Sequence, residues 1–482
     1  MESQSGTSTL PRFVLAAAGT AASVYIVSRV FSPPKEGVPP TAPGGILESL
    51  KNIGGKDAPS YLLKMTKACQ STIFQLNVPV PGGFFVIGDY QAQREILTKS
   101  DEKPLEVYSS FNNISGKASL FTRETKDSIW KVSRKGIAPA FSTREVNRMS
   151  DVCKKHLETW MNGRLAEFVK NEQAFDPADE LLNLTFNIIL ESAFEYNCSQ
   201  EEYEHVTHEI ELGLREFGWK HATNPFRKFY ARFLEEGRRA YLAGENVRNF
   251  ARKILLAYRS NPNKSSEKTI VNLIEGIEGY CDDQKISEMI AFLIGGHDTT
   301  GYTLSTFLVF MAKHPEIAEK ARLSQLASGD DDKPSDFVQY CMKESNRMVP
   351  VAATGSVRKA ERAFVFPVGF REFHIPKGAI LFMPQMIPNY DPMVYTEPDR
   401  FQPERWENAT EEMKQSMLMF SLGKRNCIGQ SLAMAELQTV IPKLLTKFKF
   451  ELETEGELDY FLTLKFAGAR IKAKAVEVSL DL

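Results

Sequence analysis

The sequence predicts a mainly α-helical protein with a small β portion, built as a single large domain. Three observations carry that expectation. From Asp127 to about His314, apolar residues recur at helical spacing through 146–169, 180–194, 201–217, 225–258 and 286–311. Short β-rich runs gather instead near the two ends, at 81–88, at 379–383 and through 449–482. The 482 residues hold no internal repeat and no low-complexity tract beyond one proline-rich spacer.

Composition narrows the function classes. Hydrophobic residues make up 43% and charged residues 25%, as in a folded globular chain rather than a disordered one. A net charge of −2 argues against nucleic acid as a partner of the whole protein. The six cysteines (Cys69, Cys153, Cys198, Cys281, Cys341, Cys427) are scattered. That excludes the close pairs of structural zinc sites, does not resemble a disulfide framework, and points to a reducing compartment.

Four segments are expected along the chain: 1–12, a membrane-anchor helix at 13–31, a proline-rich linker at 32–45, and a catalytic domain at 46–482. Residues 13–28 are uncharged and apolar, and extension to Phe31 gives about 19 residues, roughly 28 Å as a helix. Arg29 and Lys35 put positive charge on the C-terminal side, favouring a cytosolic main domain. A cleaved targeting peptide is the rival reading. The prolines between Pro33 and Pro43 make a stiff spacer.

Within the domain, 81–88 reads as a buried strand, 90–97 as a short helix and 103–125 as a long loop touching the core through Tyr108, Phe111, Leu120 and Phe121. Residues 330–333 form a solvated connection, 430–448 a helix, and 449–482 two or three strands.

The chemistry concentrates in a few patterns. In 420–429 (FSLGKRNCIG), Cys427 sits in a glycine-punctuated loop that feeds into a helix. Unpaired N–H groups at a helix N-terminus favour a thiolate, a soft ligand suited to iron. Gly423 and Gly429 let backbone pass close to a flat ligand, and Arg425 offers a cation to a ligand carboxylate. In 294–300 (IGGHDTT), two glycines inside a helix cost roughly 1 kcal/mol each, which calls for a ligand or a local helix opening. Thr299 would bond back to the Gly295 carbonyl, and Asp298 and Thr299 would set an acid and a hydroxyl beside a flat cofactor. Trp130 and Arg134 share one helix face and are good donors to a carboxylate. Glu344 and Arg347, one turn apart on a helix opened by Ser335 and Asp336, can pair and be joined by Arg405. His205 and His208 fit neither zinc-protease order and read as a solvated helix face.

In order, these patterns resemble the motif set of the cytochrome P-450 family: W-x-x-x-R, the central-helix oxygen-activation motif, E-x-x-R with P-E-R-F, and F-x-x-G-x-R-x-C-x-G. Trp406 stands where the third motif usually has Phe. The resemblance covers the chain from about Pro33 to the C-terminus and implies the cytochrome P-450 fold, with haem b between the central helix and the helix after Cys427. It implies Cys427 as the iron ligand, with Trp130, Arg134, Arg425 and, less regularly spaced, Arg358 as propionate contacts. Phe420 would pack near the sulfur and Gly429 would open the following helix. Asp298 and Thr299 match the proton-delivery acid and threonine, His297 is a spacer pointing away from the cofactor, and Glu344, Arg347 and Arg405 are structural.

The activity implied is monooxygenation of a lipophilic substrate with O2 by an enzyme anchored in the endoplasmic reticulum membrane with its catalytic domain in the cytosol, an organelle membrane being the alternative. No nucleotide-binding fingerprint occurs, so electrons are expected from an external NADPH-dependent reductase or a ferredoxin, docking on Lys131, Arg134, Lys135, Lys424 and Arg425. The expected lining is Phe111, Leu120, Phe121, Phe292, Leu293, Ala352, Ala353 and Phe461. The alternatives are a haem-thiolate isomerase or dehydratase of hydroperoxides and a non-catalytic haem carrier or sensor.

Overall fold

The computed structural model describes residues 37–476 apart from 100, 101, 225, 266, 331, 369 and 370. The expected anchor at 13–31 lies outside the described residues. Among those described, no helix is long and apolar enough to cross a membrane.

Eight helices position the site: α1 (Ser128–Ile137), α2 (Thr143–Trp160), α3 (Pro177–Phe194), α4 (Gln200–Gly213), α5 (Glu235–Ser260), α6 (Asp282–Lys313), α7 (Asp336–Met348) and α8 (Gln430–Lys447). Local signals explain several of their ends. Asp176 accepts from the Ala178 N–H ahead of Pro177 at the start of α3, and Ser199 and Glu202 form a capping box on α4. The Ser335 hydroxyl caps α7, as its sequence suggests. Asp282 and Asp283 open α6 where the helix dipole favours anions, and Pro315 follows its last turn.

The central helix α6 runs unbroken for 32 residues. It is buried along most of its length because α3 packs on one side while α5, α7 and α8 contact it elsewhere. The helix opening expected near the glycine pair does not occur. The threonine back-bond forms without interrupting the helix.

Among the described residues, ten strands form four small sheets. The largest has the order β1 (Ile73–Leu76), β2 (Phe84–Ile87), β6 (Ile380–Met383), β3 (Ser356–Lys359). Its β2–β6 pair is parallel, with Phe84 opposite Ile380, so segments far apart in sequence share one sheet. β4 (Phe364–Val368) pairs with β5 (Arg371–Ile375), β7 (Phe448–Thr454) with β10 (Arg470–Ala475), and β8 (Glu457–Tyr460) with β9 (Leu464–Ala467). Among the described residues, the C-terminal region therefore holds four strands where two or three were expected. The 103–125 loop also contains short helices, Leu105–Tyr108 and Asn112–Ser115. Each is a single turn, too short to leave a periodic signal.

Candidate functional site

The cysteine loop is held by its own backbone and by the helix before the long loop. The Cys427 N–H donates to the Phe420 carbonyl at 2.9 Å, closing the loop around the sulfur. Gly423 has φ +72°, and a Cβ there would stand 2.2 Å from the Leu97 carbonyl oxygen. The chain itself therefore requires that glycine, whatever binds nearby. A Cβ at Gly429 would lie 3.9 Å from Cys427 Sγ, an ordinary contact distance. Desolvation by the surrounding protein pushes the Cys427 thiol up, while the Gly429 N–H and the Arg134 charge pull it down. The loop alone thus does not secure a thiolate; a bound metal would.

The motif cations do not stand in a row on the surface. Arg134 donates to Asn426 Oδ1 at 2.7 Å, beside the cysteine. Arg425 stacks 4.3 Å over the Trp130 ring and donates to Thr125 Oγ1 at 2.6 Å, to Leu120 O at 3.1 Å and to the Arg123 carbonyl. Arg358, on β3, is buried and donates to Val357 O at 2.9 Å. Of the expected docking patch, Lys131, Lys135 and Lys424 are exposed, whereas Arg134 and Arg425 turn inward. That corrects the patch to its three lysines, because the two arginines find polar partners in the interior.

Two residues of this region escaped the sequence reading. Lys103 is buried, donates to the Phe121 carbonyl and lies 4.0 Å over the Tyr108 ring. Burial first, then Arg425 and Arg358, hold its ammonium well below the usual lysine range, so three cations converge from separate segments. Glu288 of α6 accepts the Leu120 N–H at 2.8 Å and pins the loop whose carbonyls seat Arg425. Neither residue belongs to a spaced motif, so no pattern in the sequence points to them.

On the central helix, Thr299 Oγ1 donates to the Gly295 carbonyl at 2.9 Å, as expected. The two glycines have different reasons. Nothing lies within 4 Å of a Cβ built on Gly295, whereas one on Gly296 would strike Ile189 of α3 at 2.8 Å. One glycine opens a face of α6 and the other lets α3 approach. His297 is fully buried on the α3 side, away from the Gly295–Thr299 face, as its reading as a spacer anticipates. It is not idle, however: its Nε2 lies 2.9 Å from Asp298 Oδ1. Of the expected lining, Phe292 stacks on Phe141, which borders Gly429, and so links α6 to the cysteine loop. Leu293 sits one turn before His297, and its carbonyl accepts from that imidazole, so it belongs to the α3 face instead. Phe111 and Phe121 meet edge to face at 5.1 Å. Phe461 is buried against Tyr302. Ala353 is buried and Ala352 half-buried.

Beneath the loop, Glu344 accepts from Arg347 twice at 2.9 Å, from Arg405 Nε at 2.9 Å and from the Gln402 N–H at 3.0 Å. Trp406 Nε1 also donates to it at 2.9 Å, a bond that a phenylalanine could not make. Glu344 and Arg347 side chains are both 0% exposed, so this is a saturated internal ion cluster.

A family model described as Cytochrome P450 matches residues 39–474. The chain belongs to the cytochrome P450 family. Among curated proteins, this P450 chain is similar to Cytochrome P450 4F5 of Rattus norvegicus, 29% identical over 53% of this chain and 54% of that protein. It is also similar to Cytochrome P450 4F8 of Homo sapiens, 25% identical over 74% of each chain, and to Cytochrome P450 3A6 of Oryctolagus cuniculus, 28% identical over 38% of each. P450 proteins bind haem b, and three features of this chain fit such a group. Gly295 leaves open space on a face of a mainly buried helix. Trp130 Nε1 is buried without a hydrogen-bond partner among the described residues, as expected of a donor reserved for a ligand. Cys427 offers a soft sulfur ligand suited to iron.

Proposed function

We propose that the chain is a haem-thiolate monooxygenase that inserts one atom of O2 into a lipophilic substrate. Two electrons and two protons are consumed, and the second oxygen atom leaves as water. Cys427 would hold the iron, and Trp130, Arg134, Arg358 and Arg425 would hold the haem carboxylates, with Phe420, Gly423 and Gly429 shaping the loop. Bound there, the haem supplies a redox-active iron that takes up O2, made electron-rich by its thiolate ligand.

The observation that carries this reading is the Thr299 Oγ1 bond to the Gly295 carbonyl, with Asp298 next in the helix. The bond aims the hydroxyl along the open face of α6 and holds it where a proton can be passed on. Isomerisation of a hydroperoxide, or haem carriage, consumes no protons and has no use for such a pair. The aromatic cluster of Tyr108, Phe111 and Phe121 supports an apolar substrate.

Electrons would come from an external reductase, NADPH-dependent or served by a ferredoxin, whose acidic face meets Lys131, Lys135 and Lys424. Residues 13–31 would anchor the enzyme in a membrane, the endoplasmic reticulum first and an organelle membrane second, with the domain in the cytosol. Removing residues 1–31 should lower membrane retention and leave the haem spectrum unchanged. The main test is O2 uptake driven by NADPH and a matched reductase, with and without candidate lipids. Uptake with stoichiometric product supports monooxygenation. Turnover of a hydroperoxide with no O2 uptake overturns it in favour of an isomerase or dehydratase.

A further inference from the structure

The His297–Asp298 contact gives the acid of the central helix a partner that its motif does not suggest. His297 belongs to the α3 face of α6. The Thr185 hydroxyl donates to its carbonyl at 3.0 Å, and the Phe186 ring meets the imidazole edge-on at 5.1 Å. Gly295 and Thr299 occupy the open face. Successive helical residues are turned by about 100°, so Asp298 stands between the histidine and the threonine.

The hydrogen bond at the other ring nitrogen fixes the tautomer. His297 Nδ1 lies 2.7 Å from the Leu293 carbonyl oxygen, which can only accept, so Nδ1 carries a hydrogen. In a neutral ring Nε2 is then a lone pair, and Asp298 Oδ1 is 2.9 Å from it. The side chains are 0% and 5% exposed, so water does not separate two such lone pairs. They repel unless one proton is shared between them, as imidazolium with carboxylate or as imidazole with carboxylic acid. The contact lies outside linear hydrogen-bond geometry, and Asp298 Oδ2 has no partner among the described residues. That oxygen is the one not engaged by His297.

Two phenols face the acid, and the buried carboxyl of Glu436 on α8 acts on the adjacent Thr300. Tyr203 of α4 and Tyr302 of α6 face Asp298, and burial pushes both phenols up, so both stay neutral. Asp179 and Glu180 of α3 and Glu211 of α4 stand behind them, with Arg164 acting on Tyr203 and Lys465 lying over Tyr302.

We propose that His297 is a positioning residue that stores the proton Asp298 passes toward Thr299. The imidazolium gives its Nε2 proton to the Asp298 carboxylate, which then releases that same proton onward, leaving imidazole and carboxylate. The neutral pair is restored by one proton from bulk water, and no electron moves. This rests on the reading of Asp298 and Thr299 as the proton-delivery pair.

His297→Asn is the informative variant, because its amide can still donate to the Leu293 carbonyl while nothing replaces Nε2. Infrared pH titration of the holoprotein, with the Asp298→Asn variant used to assign the carboxylic C=O band, reads the shared proton without turnover. In His297→Asn that band should move, because no Nε2 remains beside Asp298 Oδ1. In the reconstituted system peroxide release per NADPH should rise roughly tenfold, and the pH profile of coupling should move with it. The CO spectrum should be unchanged, and the thermal midpoint should fall only by what the lost ring packing against Phe186 contributes. His297→Gln serves if His297→Asn does not fold. An unmoved band together with an unmoved coupling profile overturns the proposal. If Asp298→Asn leaves coupling unchanged, the proton-delivery reading fails instead, and the infrared titration still decides the shared proton.

Discussion

The Arg425 guanidinium lies 4.3 Å over the Trp130 ring, so a residue of the cysteine loop and a residue of α1 form one unit. Stacking fixes the plane of the guanidinium, and the carbonyls of Leu120 and Arg123 fix its direction. Arg425→Lys keeps the charge and loses both constraints. Haem transfer to apomyoglobin should accelerate by about tenfold, in line with loss of about 1.4 kcal/mol of stacking and hydrogen bonding. An unchanged transfer rate would remove Arg425 from the haem contacts.

Cys427 is the one cysteine of the family-matched loop, and its side chain is exposed. Cys427→Ala should abolish the strongly red-shifted CO band of the reduced protein. Persistence of that band would assign the ligand to another residue.

Thr299→Ala removes the hydroxyl that bonds to Gly295 O and leaves α6 intact. Reducing equivalents should divert to peroxide, raising its release by roughly tenfold at unchanged haem content. Equal coupling in variant and parent would count against the hydroxyl as a proton donor.

Trp406→Phe deletes one donor to a carboxylate that is wholly buried. Four other donor bonds remain, so the fold should survive at a cost of about 1–3 kcal/mol, read from chemical denaturation. A cost near zero would mean that the indole contributes packing alone.

Glu436 of α8 is buried, and burial pushes its carboxyl up to about 8, with the Thr300 hydroxyl opposing. The folded protein therefore holds this proton to a higher pH than the unfolded chain does. Its contribution to stability is present in full near and below the usual glutamate value and is lost as pH rises toward 8, by roughly 1.4 kcal/mol per unit. Glu436→Gln should flatten the fall in thermal midpoint over that window. A parallel slope in the two proteins would rule Glu436 out as its source.

Much of this was legible because certain chemistry demands fixed spacing. Cys427 with Arg425, Thr299 with Gly295, and Glu344 with Arg347 each lie within one or two turns or one loop, so local geometry is written in the residue order. The long helical tract and the late strands followed from periodicity for the same reason. Strand β1 and the single-turn helices in the 103–125 loop escaped because segments of four residues carry too little pattern. The role of Trp406 escaped because a motif comparison treats it as a larger phenylalanine, and its N–H matters only once Glu344 is beside it.

By itself, the sequence determined the helical class and the family motifs, and singled out Cys427 as the sulfur proposed to hold the iron. Tertiary structure decided what those residues touch. It brought Lys103, Arg358 and Arg425 together from three distant segments and turned Arg134 and Arg425 inward from the surface patch. It moved Leu293 from the open face of α6 to the α3 face, and set His297 against Asp298. Distances along the chain fix neighbours within a turn of helix. Side-chain contacts between segments depend on how helices and strands pack, and that is settled by burial of the whole core.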